Sequence, residues 1–259
     1  MTCQYRLIAI DVDGTLLNSR SQLPPANRQA LHRAHEAGLT VCLCTGRSYT
    51  ETRTVIEQLG LDSDRGIFAF GSIVTELPSG RTLQRTPIEP ELARRLVSHF
   101  GERDYPVLLL YDASQTGGLD YELVQGRRNA DAYEQFLRLA PARVERVARW
   151  IPRGFEPVRI GIIDSPDHIQ ETVAQLEREF PPSQMKFNPI YAPNYDLHVV
   201  ECFAPPVNKW YGILQVAREL NIPRERIAAI GDDVNDLEMI RESGMGVAMG
   251  NAIERIKAA

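Results

Sequence analysis

The stretch Arg6-Leu-Ile-Ala-Ile-Asp11-Val-Asp13-Gly14-Thr15 is the starting point for the fold of this chain. A short run of Ile and Leu that stops at an acid and then a glycine predicts a strand buried on both faces. From Pro24 to Gly38 the apolar spacing becomes helical, with Ala30, Leu31, Ala34 and Ala37 on one side, proline at the start and glycine at the close. Leu39-Thr-Val-Cys-Leu-Cys44 predicts a second buried strand, followed by Thr45-Gly46-Arg47. Strand, helix and strand at this spacing make a βαβ unit, which packs onto a parallel sheet with a right-handed crossover. A helix over about 49–59 and a strand at 66–70 continue the pattern.

The middle of the chain has another texture. Proline, glycine and charge gather at Pro78-Ser79-Gly80 and at Thr86-Pro87, where a domain boundary is expected. Beyond it, helices over about 90–100, 129–139 and 167–180 alternate with strands at 106–111, 158–163 and 186–190. That mixture predicts an inserted α+β domain over 87–191, with helices on one face of a largely antiparallel sheet. Residues 192–259 resume the pattern of the first third. They carry a weakly alternating strand at 195–202, a helix over 209–219, and Ile227-Ala-Ala-Ile230 ending in Gly231-Asp232-Asp233. A helix over 236–243 and a short strand at 245–249 follow. The fold class is α/β, with a parallel-sheet core in two sequence pieces, 1–86 and 192–259.

With 43% hydrophobic and 24% charged residues in 259, the chain has the balance of a globular protein that folds without staples. A net charge of -5 argues against a nucleic-acid partner, whose phosphates demand a basic surface. No apolar run reaches the roughly 18 residues that span a bilayer, and residues 1–7 carry no apolar signal core. The expectation is a cytoplasmic protein with no membrane partner. Cys3, Cys42, Cys44 and Cys202 sit mostly in apolar runs, as buried reduced thiols do; Cys42 and Cys44 flank Leu43 and do not read as a redox pair. His32 and His35 lie three apart on one helix without further ligands and read as surface histidines.

Chemistry gathers where buried strands end. Asp11 and Asp13, Thr45, and Asp232 with Asp233 and Asp236 all follow such strands, and the crevice beyond the carboxyl ends of an open α/β sheet is where ligands bind. Converging carboxylates want a hard cation, which selects magnesium over softer metals. In Asp11-Val12-Asp13 the two acids are placed to point one way while Val12 turns into the core, and Gly14 lets the chain leave sharply. Thr45 and Gly46 offer a hydroxyl and an open backbone N–H at a helix start, a natural anion site, and Lys209 adds a positive charge. Acids for a metal beside donors for an anion point to phosphoryl transfer, because a carboxylate attacking a phosphate needs its repulsion screened.

Four motifs in order, Asp11-Val-Asp13-Gly-Thr15-Leu-Leu17, Thr45-Gly-Arg47, Asn208-Lys209 and Gly231-Asp232-Asp-Val-Asn235-Asp236, resemble those of the haloacid dehalogenase superfamily, in the Cof-type branch of sugar-phosphate and small-metabolite phosphatases. The resemblance covers essentially the whole chain. It implies a Rossmann-like core with an inserted α+β cap, since the long insertion lies between Thr45 and Lys209, the place of the type-two caps. It further implies that Asp11 is nucleophile and Mg2+ ligand, that Asp13 is the acid/base and offers its carbonyl to the metal, and that Asp232 is the third protein ligand with Asp236 as its outer support. Thr45, Gly46, Lys209 and Asn235 would hold the phosphate; Asp233 matches a variable position.

Three departures stand out. Relatives commonly carry Asn-Gly at Phe70-Gly71, have Gly where this chain has Trp210, and continue with a further strand and helix beyond Asn251-Ala252. Trp210 is expected either to narrow the pocket or to pack the helix. Arg127-Arg128 reads as a solvated pair, with a grip on a second acid group of the substrate as the alternative. Gly117-Gly118 is either a loop reaching over the site or a hairpin turn. The expected activity is Mg2+-dependent hydrolysis of small phosphorylated metabolites, sugar phosphates foremost, through an aspartyl-phosphate. The alternatives are a sugar phosphomutase and a non-enzymatic phospho-aspartate signalling module, although in the latter the paired acids come on an early strand and here they come last. Nothing in the sequence selects between monomer and homodimer.

Overall fold

The computed structural model describes residues 4–62, 64–192 and 194–259, so Cys3 lies outside the described residues. Two compact units emerge: 1–84 with 207–259, and 85–206.

In the first unit, β1 (Leu7–Asp11), β2 (Thr40–Cys44), β3 (Asp64–Phe68), β4 (Ile73–Leu77), β5 (Thr82–Arg85), β12 (Ile227–Gly231) and β13 (Met245–Ala248) form one sheet in the order β13-β12-β1-β2-β3-β4-β5. β1 lies inside the sheet and runs parallel to β12 and β2, with Ile10 opposite Ile230 and Asp11 opposite Cys44. Its apolar run is the consequence: Leu7 and Ala9 are fully buried. The helices are α1 (Pro25–Glu36), α2 (Tyr49–Leu59), α6 (Lys209–Glu219), α7 (Leu237–Glu242) and α8 (Glu254–Lys257). Of the α1 stripe only Leu31 is buried. His32 and His35 are half-buried and tied down: His32 Nε2 lies 2.6 Å from the Leu59 carbonyl and His35 Nδ1 2.9 Å from the buried Asp64 carboxylate. α2 begins on a reciprocal cap between Ser48 and Glu51 and ends at Gly60. Cys42 and Cys44 are buried and form no disulfide, and the Cys44 thiol donates to the Cys42 carbonyl at 3.6 Å.

The second unit holds β6 (Val107–Leu110), β7 (Tyr121–Val124), β8 (Val144–Val147), β9 (Arg159–Ile163), β10 (Lys186–Ala192) and β11 (Leu197–Phe203), in the order β10-β11-β9-β6-β7-β8. All neighbours are antiparallel except β7 and β8. α3 (Pro90–Gly101) and α5 (Ile169–Glu179) pack Leu96, Phe100 and Leu176 against Val107, Ile160 and Val200 on one face. α4 (Ala130–Leu139) is on the other face, because Tyr121, three residues from Val124 of that core, meets Phe136 at 5.5 Å. The expectation that every helix covers one face is corrected there. Gly117 and Gly118 lie in the connection of the antiparallel pair β6 and β7.

Two boundaries differ from the sequence reading. Pro78-Ser79-Gly80 is the connection between β4 and β5 inside the first sheet. The return at residue 192 is also corrected: Leu197–Phe203 pairs with β9 and β10 in the second sheet, and the chain rejoins the first unit at Val207. Alternation identified a strand there, but its partners are set by pairing with residues far away in sequence. Among the described residues no helix is long and apolar enough to cross a membrane.

Candidate active site

The order β12-β1-β2 sets three strand ends side by side in the first unit, and the motif residues stand on them. Asp11 closes β1 and is 5% exposed. The chain then turns through 12–16, with Val12 buried and Gly14 at φ +81. Only glycine serves at 14, because a Cβ there would come within 2.3 Å of the Asp232 carboxylate.

Asn208 caps α6 by accepting the Tyr211 amide at 2.7 Å, which makes Lys209 the first helical residue and aims it inward. Lys209 is 1% exposed, with Nζ 2.5 Å from Asp11 Oδ1 and 2.6 Å from Asp236 Oδ1. Burial alone would lower the ammonium's pKa; the two carboxylates reverse this and hold it above the usual lysine range. Burial pushes the Asp11 carboxyl well up, and Asp236 and Asp13 add to that against the pull of Lys209. Asp232 is raised as well, by burial first and then by Asp236 and Asp233, while the Thr15 hydroxyl opposes. Negative charge at these strand ends therefore exceeds what Lys209 balances.

Asp11, Asp232 and Asp236 each offer an oxygen, and the three lie within 4.8 Å of one another. Asp11 Oδ2 is buried and accepts no hydrogen bond among the described residues. Asp232 accepts Thr15 Oγ1 at 2.8 Å and Asn251 Nδ2 at 3.2 Å. Asp236 is committed on both oxygens, one to Lys209 and the other to the Asp232 and Asp233 amides at 2.9 and 3.1 Å. Hard oxygen donors, surplus negative charge and an unpartnered buried carboxylate oxygen fit a divalent cation such as magnesium.

Asp13 stands apart from the triad. Arg47 grips it side-on with one guanidinium edge, Nε donating to Oδ2 at 2.8 Å and Nη2 to Oδ1. Thr45, 1% exposed, follows β2, and its hydroxyl accepts the Arg47 amide at 3.1 Å. Gly46 lies under the Phe70 ring: a Cβ at 46 would meet that ring at 2.3 Å. Phe70 sits at φ +56, and its amide donates to the Thr45 carbonyl at 3.0 Å, so the 69–71 turn is laced to the Thr45–Arg47 loop. Asn235 Oδ1 is buried without a hydrogen bond among the described residues. Trp210 is partly buried and packs against the core cluster of the first unit, in keeping with a helix-packing part. Asp233 is exposed and caps the turn at 234–236 by accepting the Val234 amide.

The sequence reading left three participants without a part: Arg47, Thr15 and Asn251. Arg47 and Thr15 stood inside quoted motifs, next to assigned residues. Asn251, which also donates to the Gly14 carbonyl at 2.9 Å, carried no local signal.

The family model described as haloacid dehalogenase-like hydrolase matches residues 8–259. The chain is 28% identical to Phosphatase YwpJ of Bacillus subtilis, over 98% of this chain and 92% of that protein. It is 26% identical to the HMP-PP phosphatase of Cronobacter sakazakii, over 98% and 87%. A haloacid dehalogenase-like hydrolase from B. subtilis of solved structure superposes with a TM-score of 0.77 at 25% identity, over 98% of this chain and 92% of that one.

Proposed function

The chain belongs to the haloacid dehalogenase-like hydrolases, as a Cof-type phosphatase, and we propose that it hydrolyses small phosphorylated metabolites through a phosphorylated Asp11, with magnesium as cofactor. The observation that carries the reading is Asp11 itself, buried at the end of β1 with one oxygen on Lys209 and the other without a hydrogen bond among the described residues.

Asp11 would attack phosphorus, forming the aspartyl-phosphate bond as the bond to the leaving oxygen breaks. Lys209, held charged by its two carboxylates, would pull Asp11 toward its anionic form against the burial that pushes that carboxyl up. The Thr45 hydroxyl, the Gly46 amide and the Asn235 side chain would hold the phosphoryl oxygens. Asp13 would give a proton to the leaving alcohol and later take one from the water that attacks phosphorus, returning Asp11 and releasing phosphate. Arg47 bonds to both Asp13 oxygens and would fix the orientation from which Asp13 meets a leaving group, with a lone pair on each oxygen still unused. Magnesium would be held by Asp11, Asp232 and the Asp13 carbonyl, and would screen the repulsion between carboxylate and phosphate. The full engagement of Asp236 suits a supporting part rather than direct ligation.

The substrate class is proposed as small phosphate esters, sugar phosphates first, and the relative named an HMP-PP phosphatase widens the panel worth assaying. Release of phosphate from a panel of phosphorylated metabolites, with magnesium and with chelator, tests the reading. Magnesium-dependent turnover of at least one substrate is expected; none on any substrate would sink it.

A further inference from the structure

The second unit contains a cavity of about 140 Å³ bordered by Arg103, Tyr105, Arg128, His168, Glu171 and Thr172. It is far below the roughly 300–1,000 Å³ of pockets for drug-sized ligands, so it has room only for a small molecule or ion. No motif residue of the first unit lines it. We propose that this cavity is a binding site for a small oxyanion, a phosphate or a short carboxylate, gripped by Arg128 and Arg103.

Arg128 carries the inference. Its guanidinium lies 4.3 Å over the ring of Tyr105, which fixes its plane, and its side chain is 38% exposed. Its approach to Asp164 is 3.8 Å, too long for a hydrogen bond, and the guanidinium donates none among the described residues. Asp164 is already satisfied by the Tyr105 hydroxyl at 2.7 Å, the Thr172 hydroxyl at 2.8 Å and the Ser165 amide at 2.9 Å. A planar fork with unused donors is thus held in place facing a cavity, the preorganised state that bidentate recognition of an oxyanion requires.

Arg103 brings a second guanidinium, with Nη1 spent on the His99 carbonyl at 2.8 Å. His168 is anchored through Nδ1 to Ser165 Oγ at 2.7 Å. Glu171 opposes these cations. With the buried Asp164 3.8 Å from Arg128 counted beside Glu171, two carboxylates face two guanidiniums, so it is the unused Arg128 donors rather than net charge that an anion would meet. Of the pair Arg127-Arg128, only the second takes part: Arg127 is 91% exposed and bonded to Asp104 at 2.8 Å.

Anion binding here is independent of the hydrolytic reading, and its test runs without magnesium. Inorganic phosphate and succinate are titrated separately into the full 15N-labelled chain with chelator, at ionic strength held constant with sodium chloride. Saturable amide shifts at 99–105, 128 and 168–175 are expected with one or both anions, and the arm that responds identifies the oxyanion class. Arg128→Gln and Arg103→Gln should each weaken that binding at least about tenfold, the scale of a lost charge-assisted bond, while Arg127→Gln leaves it unchanged. Shifts that grow linearly without saturation, or an Arg128→Gln affinity equal to wild type, would overturn the proposal. Shifts at Thr45 and Gly46 report on the first unit separately.

Discussion

Lys209→Met removes the ammonium that, among the described residues, pairs with both Asp11 and Asp236 in a buried place. Met keeps much of the apolar stem, so the change isolates charge from packing. Nζ sits 2.5 Å from Asp11 and 2.6 Å from Asp236, and neither acid is more than 5% exposed. Breaking a buried ion pair by deleting one partner costs about 3–5 kcal/mol, most of it the penalty on the charge left behind. The expected loss lies in that range when chelator is present. Lys209→Met with Asp236→Asn removes one of the stranded charges, and Asn can still accept the Asp232 and Asp233 amides. The double variant should therefore regain about 1–3 kcal/mol over the single one, the usual coupling between contacting groups. Urea unfolding followed by far-UV circular dichroism reads both values, provided the slope is unchanged. Added magnesium should shrink the deficit of the single variant. A loss under about 1 kcal/mol, or a double variant less stable than the single, would refute the charge accounting.

Arg47→Lys leaves a point charge where a fork held both Asp13 oxygens, and kcat should fall about tenfold or more; an unchanged kcat would deny Arg47 a positioning part. Gly46→Ala drives a methyl into the Phe70 ring and should cost about 1–3 kcal/mol in a thermal melt, with Gly46→Ala/Phe70→Leu recovering part of it. Asp64→Ala strands the buried Val41 amide, now bonded at 2.7 Å, and should cost about 1–3 kcal/mol of stability without altering turnover.

Much of the site was legible because buried strands announce themselves and their ends are where acids become conspicuous. Asp11, Thr45 and Asp232 could be placed from the runs that precede them, and Asn208 before Lys209 is a helix cap by residue type alone. What escaped depends on contacts distant in sequence. The strand at 197–203 has alternation enough to be a strand, yet only its pairing with β9 and β10 assigns it to the second sheet. Thr82–Arg85 and Val144–Val147 are partly exposed edge strands without an apolar run to betray them. The Arg47 grip on Asp13 spans 34 residues and Asn251 reaches Asp232 across 19, and neither has a periodicity to read.

Whether Asp11 is phosphorylated during turnover can be decided by chemical trapping. Wild type and Asp13→Ala, which should slow the second step, are mixed with an aryl phosphate and magnesium, then quenched into borohydride, which reduces an acyl phosphate to the alcohol. Peptide mass spectrometry should find homoserine at position 11 in both, more in Asp13→Ala, and none in Asp11→Asn. Turnover with an unmodified Asp11 in every sample, or trapping at another carboxylate, would remove Asp11 as the nucleophile.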